Sequence, residues 1–429
     1  MVVSVVTEEA TESRERGSLV ARLKRGLGRV VATPVPIGLI VGFGALARGY
    51  RLADPRGALI FDEAYYVQAA RVIAGLAVAS DHLPVDARSG LDPNSEHPPL
   101  AKLILAGCIR AFRDRELSWR VPSVLLGTLC IWLVYRIALQ LGGTRGQALL
   151  AAFIVAFENM CVVHSRIATL DIYMVAFVLA GTWLYFASLF EVAGITFAVA
   201  GLCKLNGLGG LAALALYEAG RLANAPPETR WKQARPLLLT SGVAAVFFVL
   251  ALGALDCWVT TYRNPLAHVA HIIDYASHLT HQGQPQAPQS TPLQWWLDGG
   301  AFEYLKTTVG LSNGDVRTLV LFRGALSEHV IFAAPLALLY AAQLAWRGRS
   351  RLGTFAVASV LMSYVPFLLS WALTSRVSYI FYMLPSVPAI ALAIALLGDA
   401  VPRVVRWGFV AAVVYAFYFS YPFHYAWRG

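Results

Sequence analysis

The chain has 429 residues, 57% hydrophobic and 14% charged, with a formal net charge of +10 and a mean hydropathy of +0.58. So apolar a composition excludes a water-soluble shell. The positive charge does not point to nucleic acid, because the basic residues are spread over short loops between apolar blocks instead of gathering on one patch or helix.

In chain order, residues 1–35 form a polar, basic segment carrying Arg14, Arg16, Arg22, Lys24, Arg25 and Arg29, which the positive-inside rule holds in the cytoplasm. Ala45-Leu46-Ala47 imitates a signal-peptide cleavage site, but the basic segment before it is too long, and an uncleaved span over 36–50 is expected. Residues 51–97 then make a first long external loop. Its stretch 60–76 is amphipathic, with Ile60, Phe61, Tyr65, Tyr66, Val72 and Ile73 placed to lie along the membrane interface. Further spans read at 98–112, 119–141, 147–163, 168–190, 193–217, 236–256, 327–346, 353–373, 378–399 and 407–423.

The predicted fold is all-α: a transmembrane helical bundle over residues 36–429, with about eleven crossings and external loops that carry interfacial helices. Arg110, Arg113 and Arg115, then Arg221, Arg230, Lys232 and Arg235, then Arg347, Arg349 and Arg351, then Arg403 and Arg406 all fall on the cytoplasmic side. That alternation predicts a multi-pass protein of the cell membrane with its two long loops, 51–97 and 257–325, outside. No repeat of fixed period is visible. Cys108, Cys130, Cys161, Cys203 and Cys257 are odd in number and mostly inside apolar spans, so they read as small buried hydrophobes without a disulfide framework.

Residues able to carry chemistry cluster in the loops. Asp62-Glu63 opens the interfacial helix, and adjacent helical positions diverge by about 100°, so the two carboxylates have different jobs. One of them reads as a general base, and the pair reads equally as a solvated charge or a helix cap. At the end of the same loop Glu96 and His97 stand at the mouth of a span that Pro98 and Pro99 start, with Lys102 about one turn inside. Lys102 reads either as a phosphate ligand at headgroup depth or as a snorkelling lysine. Lys204 lies in the middle of an apolar block and Arg376 at a span edge. Glu158 and Asp171 are expected to pair with intramembrane cations such as Arg166, in a structural role. His268, His271, His278 and His281, with Asp274, fit an amphipathic helix better than a metal site, and Trp295 and Trp296 are expected to mark the interface.

Taken together, FDEAYY, EHPPLAK, WRVPS, HSRIATLD, GLCKLNGL and RVSYIFYMLPSVP resemble the protein O-mannosyltransferase family in order and approximate spacing, from about residue 60 to about 400. The resemblance implies a GT-C-type membrane glycosyltransferase that takes mannose from a polyprenyl-phosphate carrier. It further implies that Asp62 is the base toward the acceptor hydroxyl, that Glu63 is its partner, and that displacement inverts the anomeric carbon. Ala101 stands where the family usually has glycine, and the folded domain that eukaryotic members insert in the second long loop is absent, as it is in shorter bacterial relatives.

The chemistry stands on its own terms. An alcohol attacking an anomeric carbon needs a carboxylate to accept its proton, and a lipid phosphate leaves as an anion that nearby cations stabilise. Lys102, Arg120, Lys204 and Arg376 are the candidates for holding that phosphate, and Glu96 and His97 for lining the substrate site. The expected partners are the bilayer, a polyprenyl-phosphate sugar and a secreted or membrane protein acceptor, with no further cofactor and no metal. Two rival readings remain: transfer to a lipid or cell-wall glycan on the same fold, and a transporter or flippase using Lys204, Glu158 and Asp171 as its pathway.

Overall fold

The computed structural model describes residues 35–78, 83, 87–223, 225–281, 288–297, 299–310 and 316–422. The expected cytoplasmic basic segment lies outside these up to residue 34. Helix α1 (Val35–Gly49) leads into the first long loop, which contains α2 (Glu63–Ile73). There follow α3 (Leu100–Phe112), α4 (Glu116–Gln140), α5 (Arg145–Phe157), the short α6 (Asn159–His164), α7 (Leu170–Phe186), α8 (Phe190–Cys203), α9 (Gly209–Ala223) and α10 (Pro227–Val259). The second long loop holds α11 (Pro265–His278) and the strands β1 (Phe302–Gly310) and β2 (Val316–Gly324). The chain closes with α12 (Glu328–Trp346), α13 (Arg351–Thr374), α14 (Val387–Ala400) and α15 (Arg403–Ser420).

Five helical stretches among the described residues are long and apolar enough to cross a membrane: α4, α10, α12, α13 and the continuous run Ile380–Ala400 that includes α14. Shorter apolar helices, α1, α5, α7 and α8, complete the bundle. The expected count of eleven is not matched by length alone, partly because two spans read as continuous are broken. The span at 147–163 is interrupted at Glu158, whose extended backbone lets its carboxylate accept from Cys161 N at 2.8 Å and cap α6. The span at 193–217 stops at Lys204, also extended, then passes through a 3-10 turn, Leu205–Leu208, before α9 begins.

The interior is apolar and closely packed. Helices α7 and α14 are buried over most of their circumference, and α8 packs along both α7 and α10. A helix apolar on all sides and surrounded by others has no solvent-facing stripe, so periodicity cannot reveal its orientation.

The helical expectation holds, and the second long loop adds a hairpin to it. Strands β1 and β2 pair antiparallel, with Phe302 opposite Gly324 and Thr307 opposite Leu319. Their aromatic and β-branched residues suit a pleated, half-buried surface. At Gly324 a Cβ atom would stand 2.1 Å from the Tyr304 ring, so only glycine lets that ring lie flat across the hairpin. The second long loop therefore folds back as a small sheet and sets an aromatic face, Phe302 and Tyr304, against the first loop at Phe61. Trp295, expected at the interface, is instead fully buried, donating Nε1–H to Ser290 Oγ at 2.9 Å.

Candidate active site

The site starts at the turn into α2. Phe61 has φ +54°, in the left-handed region, which costs a non-glycine residue about 1–3 kcal/mol and persists only where surroundings enforce it. Three rings do so: Phe61 stacks on Tyr304 at 4.1 Å and meets Phe381 and Phe302 edge-on at 5.3 and 5.5 Å. The turn sends the next two carboxylates in different directions.

Glu63 points inward and is fully buried. Its oxygens accept from Ile60 N at 2.8 Å, from Ala168 N at 2.9 Å, and from Arg120 Nε and Nη2 at 2.9 and 2.7 Å. It works as a structural clamp between α2, α4 and the segment before α7, which corrects its expected place beside Asp62 in the chemistry. The Asp62 side chain makes no hydrogen bond to any described residue and is half-buried at the helix start. Burial pushes its carboxyl up to about 7, with Lys204 pulling it down and Asp171 and Glu96 adding to the rise. A carboxylate so placed is a stronger base than an ordinary aspartate and still ionises near neutrality.

The groups facing Asp62 come from four separate parts of the chain. Lys204 donates to Asp171 Oδ1 at 2.7 Å, and its ammonium lies 5.6 and 5.9 Å from the ring centres of Phe381 and Tyr382. The break between α8 and α9 exists to bring that ammonium out of the helix to Asp171, at the start of α7. Asp171 thus pairs with Lys204. The expected partner Arg166 donates elsewhere, to the carbonyls of Ala47, Arg48 and Tyr50 and to the Tyr421 hydroxyl. Glu158, also expected to meet a cation, is satisfied by the backbone N–H groups of Cys161 and Ser327.

Glu96 and His97 come from the end of the first long loop. Glu96 accepts from Asn94 Nδ2 at 3.1 Å and meets the Tyr275 hydroxyl of α11. The His97 ring lies 6.0 Å from Tyr66 on α2. Burial drives the His97 imidazole well below its usual range, and the cations Lys204, Lys102 and Arg376 push it the same way, so it is neutral at physiological pH. Arg376 is held by its Nε donating to Ala276 O at 2.8 Å and reaches the Tyr382 hydroxyl.

Two candidates for the phosphate are removed. Lys102 is fully buried, paired with Asp92 Oδ2 at 2.6 Å, and bonded to the Asn94 carbonyl, Asn94 Oδ1 and the His97 carbonyl. With three N–H donors and these acceptors it has nothing left for a ligand. Arg120 is likewise consumed, by Glu63 and by the carbonyls of Leu52, Asp54 and Ala58. Both hold the loop that presents Asp62 and Glu96. Lys204, whose ammonium makes one hydrogen bond to a described residue, Asp171, and Arg376 are the candidate cations left.

From Arg376 a cavity of about 340 Å³ runs into the bundle between α7, α9, α13 and α14, walled by Met174, Leu179, Phe355, Phe367 and Leu392. Its lining is mostly apolar, with Thr182, Asn206, Ser359, Ser363 and Ser370 among it and Arg376 as its charged residue. Sequence reasoning did not find Tyr379 and Tyr382, which both feel the charges of Asp62 and Arg376. Both stood inside the motif RVSYIFYMLPSVP, whose spacing carried no chemical signal by itself. The histidines of the second long loop hold structure. His278 bonds the Asp274 carbonyl of its own helix, His281 bonds Ser375 O, and among the described residues no three His, Cys, Asp or Glu side chains gather as metal ligands.

Residues 96–252 match the family model described as dolichyl-phosphate-mannose-protein mannosyltransferase. The match takes in Glu96, His97, Asp171 and Lys204 and leaves Asp62 and Arg376 outside it. Two relatives named polyprenol-phosphate-mannose--protein mannosyltransferase align with the chain. One, from Corynebacterium glutamicum, is 31% identical over 140 residues, which is 32% of this chain and 26% of that protein. The other, from Mycolicibacterium smegmatis, is 28% identical over 144 residues, 33% of this chain and 27% of that protein. The matched stretch thus spans about a quarter of the curated relatives' length. The protein O-mannosyltransferase Pmt1-Pmt2 complex of S. cerevisiae, bound to the sugar donor, superposes with a TM-score of 0.67 at 13% identity, covering 90% of each chain. ArnT from Cupriavidus metallidurans, bound to undecaprenyl phosphate, gives a TM-score of 0.59 at 16% identity, covering 87% of this chain and 62% of that one. The fold is therefore the one these two structures share, and the family resemblance read from the motifs is borne out over residues 96–252.

Proposed function

We propose that this chain transfers a mannosyl residue from polyprenyl-phosphate-mannose to a serine or threonine hydroxyl of a protein on the outer face of the cell membrane, with inversion and with Asp62 as general base. The observation that carries this reading is a carboxylate whose side chain has no hydrogen-bond partner among the described residues, with Lys204 as its nearest acting cation, beside Tyr379 and Tyr382, which also feel Arg376 in the lining of a mostly apolar cavity.

The chemistry follows from that geometry. The acceptor hydroxyl gives its proton to Asp62 as its oxygen bonds to the anomeric carbon. The bond from that carbon to the phosphate oxygen breaks on the opposite side, and the phosphate leaves with the electron pair. Lys204 and Arg376 take up the developing negative charge, so no acid is needed to protonate the leaving group. Tyr379, Tyr382 and the neutral His97 line the same space and offer hydrogen bonds without adding charge.

The test is an assay of the purified chain in lipid with polyprenyl-phosphate-mannose and a serine- or threonine-containing peptide, followed by mass spectrometry of the peptide. A hexose on the hydroxyl, absent when Asp62→Asn replaces the wild type at equal expression, is the expected result. Undiminished transfer by Asp62→Asn removes the base assignment. Transfer only to a glycan or lipid acceptor moves the function to the alternative substrate class.

A further inference from the structure

The apolar block 98–112 is expected to cross the membrane and to put Arg110, Arg113 and Arg115 on the cytoplasmic side. The contacts of α3 place it otherwise. Its 13 residues cover about 20 Å at 1.5 Å each, against about 30 Å of hydrocarbon, and both its ends lie against the first long loop. At the start, His97 lies beside Tyr66 of α2, and Lys102 pairs with Asp92. At the end, Arg110 donates to the carbonyls of Ile73 and Ala74, each at 3.2 Å, and Arg71 pairs with Asp114 at 2.9 Å. Just beyond, Glu116 accepts from Gly57 N, and Arg120 donates to Leu52 O and Ala58 O. Helix α3 therefore begins and ends on the side that carries Asp62, and α4 is the next helix long enough to cross.

A basic corner stands where α3 meets α4. Arg113 ends α3 with φ +69°, a conformation that glycine takes freely and arginine only at a cost. Arg113 and Arg115 are exposed, and neither guanidinium has a hydrogen-bond or ion-pair partner among the described residues. The neighbouring carboxylates are engaged, Asp114 by Arg71 and Glu116 by Gly57 N. Phe112 is 59% exposed, and Leu117, Val121 and Leu125, four residues apart on one face of α4, continue an exposed apolar strip. Two unpartnered cations thus stand within three residues of the start of a span, at the depth of lipid headgroups, above side chains that face acyl chains. An acidic peptide in water would match the charge and leave the apolar strip bare. A phospholipid matches both.

We propose that Arg113 and Arg115, with Phe112 beside them, form a docking site for an anionic phospholipid in the leaflet on the Asp62 side of the membrane. The headgroup phosphate meets the two guanidinium groups, and the acyl chains lie along Phe112, Leu117 and Val121. Arg110 and Arg71 fasten this corner to the C-terminal end of α2, so a lipid held there ties the helix pair that presents Asp62 to the bilayer surface.

The full chain, purified in neutral detergent, is titrated with dioleoyl-phosphatidylglycerol or dioleoyl-phosphatidylcholine, and bound lipid is counted by native mass spectrometry. An arginine near an anionic headgroup contributes about fivefold in affinity. The double variant Arg113→Gln, Arg115→Gln is therefore expected to weaken the tightest phosphatidylglycerol site on the order of 20-fold and to leave phosphatidylcholine unchanged. Both side chains are exposed, so the variant keeps its fold. A second measurement reads depth: a bimane label on Phe112→Cys, in a chain with Cys108 and Cys257 replaced by alanine, is expected to be quenched in nanodiscs by a nitroxide carried near the lipid headgroup. Equal phosphatidylglycerol binding by wild type and double variant overturns the site. So does a label quenched by aqueous iodide and not by the lipid nitroxide. Binding of poly-glutamate that needs the two arginines, without any preference for phosphatidylglycerol, overturns it in favour of an acidic polypeptide. Neither readout uses a sugar donor, so this result and that of the transferase assay are independent.

Discussion

The guanidinium of Arg120 holds both oxygens of Glu63, at 2.9 and 2.7 Å, inside a fully buried contact, while the Asp62 side chain, one residue earlier, makes no hydrogen bond to a described residue. That division of labour fixes where the proposed base stands. A side chain is preorganised when its neighbours are locked, and Glu63, with four hydrogen bonds, locks the start of α2.

Breaking that contact is expected to damage the fold before the chemistry. Removing one partner of a buried ion pair leaves the other uncompensated, at a cost of about 3–5 kcal/mol. Glu63→Ala and Arg120→Ala should each lower the thermal midpoint in detergent by several degrees, and the double variant should lose much less than the sum. Additive losses would show that the two side chains do not depend on one another.

Asp62 predicts opposite behaviour for stability and activity. Its folded-state carboxyl is raised to about 7, above an unfolded value of about 3.9, so folding favours the neutral form. The stabilisation is complete below the unfolded value and is lost as pH rises through about 7. Asp62→Asn, which never ionises, should therefore melt at least as high as the wild type above neutrality, while its transfer rate falls by about 10²- to 10⁴-fold. The wild-type rate should climb about tenfold per pH unit on the acid side and level off near neutrality. Measuring both properties on one preparation makes the test clean, and a destabilised Asp62→Asn would contradict the assignment.

Arg376 is expected to matter mainly to the donor. It is the charged residue in the cavity lining, with its Nε donating to Ala276 O and its guanidinium reaching the Tyr382 hydroxyl. Arg376→Ala removes charge-assisted hydrogen bonds to the phosphate, worth about 1.5–3 kcal/mol, so KM for the lipid-linked sugar should rise by about 10- to 100-fold. Lys204→Met should depress kcat more than KM, because its ammonium also moderates Asp62. Equal effects of both substitutions on both parameters would argue against this split.

The cavity can be filled without disturbing the bundle. A Cβ at Gly209 meets nothing within 4 Å, whereas one at Gly210 would stand 2.8 Å from the Phe197 ring. Both glycines line the cavity. Gly209→Leu is expected to leave the melting temperature unchanged within about 0.5 kcal/mol and to weaken use of long-chain donors more than short-chain ones. Gly210→Leu should destabilise. If Gly209→Leu leaves long-chain donors unaffected, the isoprenoid tail runs elsewhere.

Several features were legible from residue order alone. The apolar blocks located the main helices to within a few residues, because a span must satisfy its backbone internally and be covered by apolar side chains. The pairing of Asp62-Glu63 with Glu96-His97 singled out the first long loop, since charged residues beside a membrane mouth are costly unless they serve a purpose. The hairpin was missed because its strands are short alternations inside a loop, without a turn motif strong enough to set their register. The breaks at Glu158 and Lys204 were missed because a charge within an apolar run says only that it must find a partner, and not which one.

The sequence by itself determined that this chain is a membrane-embedded helical protein with an acidic pair and several cations near one end. Those properties depend on composition and local order, which each segment carries independently of its neighbours. Only the tertiary structure decided that Glu63, Lys102 and Arg120 are consumed in holding the first long loop, and that the Asp62 side chain makes no hydrogen bond to a described residue. Whether a charge is spent or available depends on what lies within about 3 Å of it, and that is settled by residues far away in the chain.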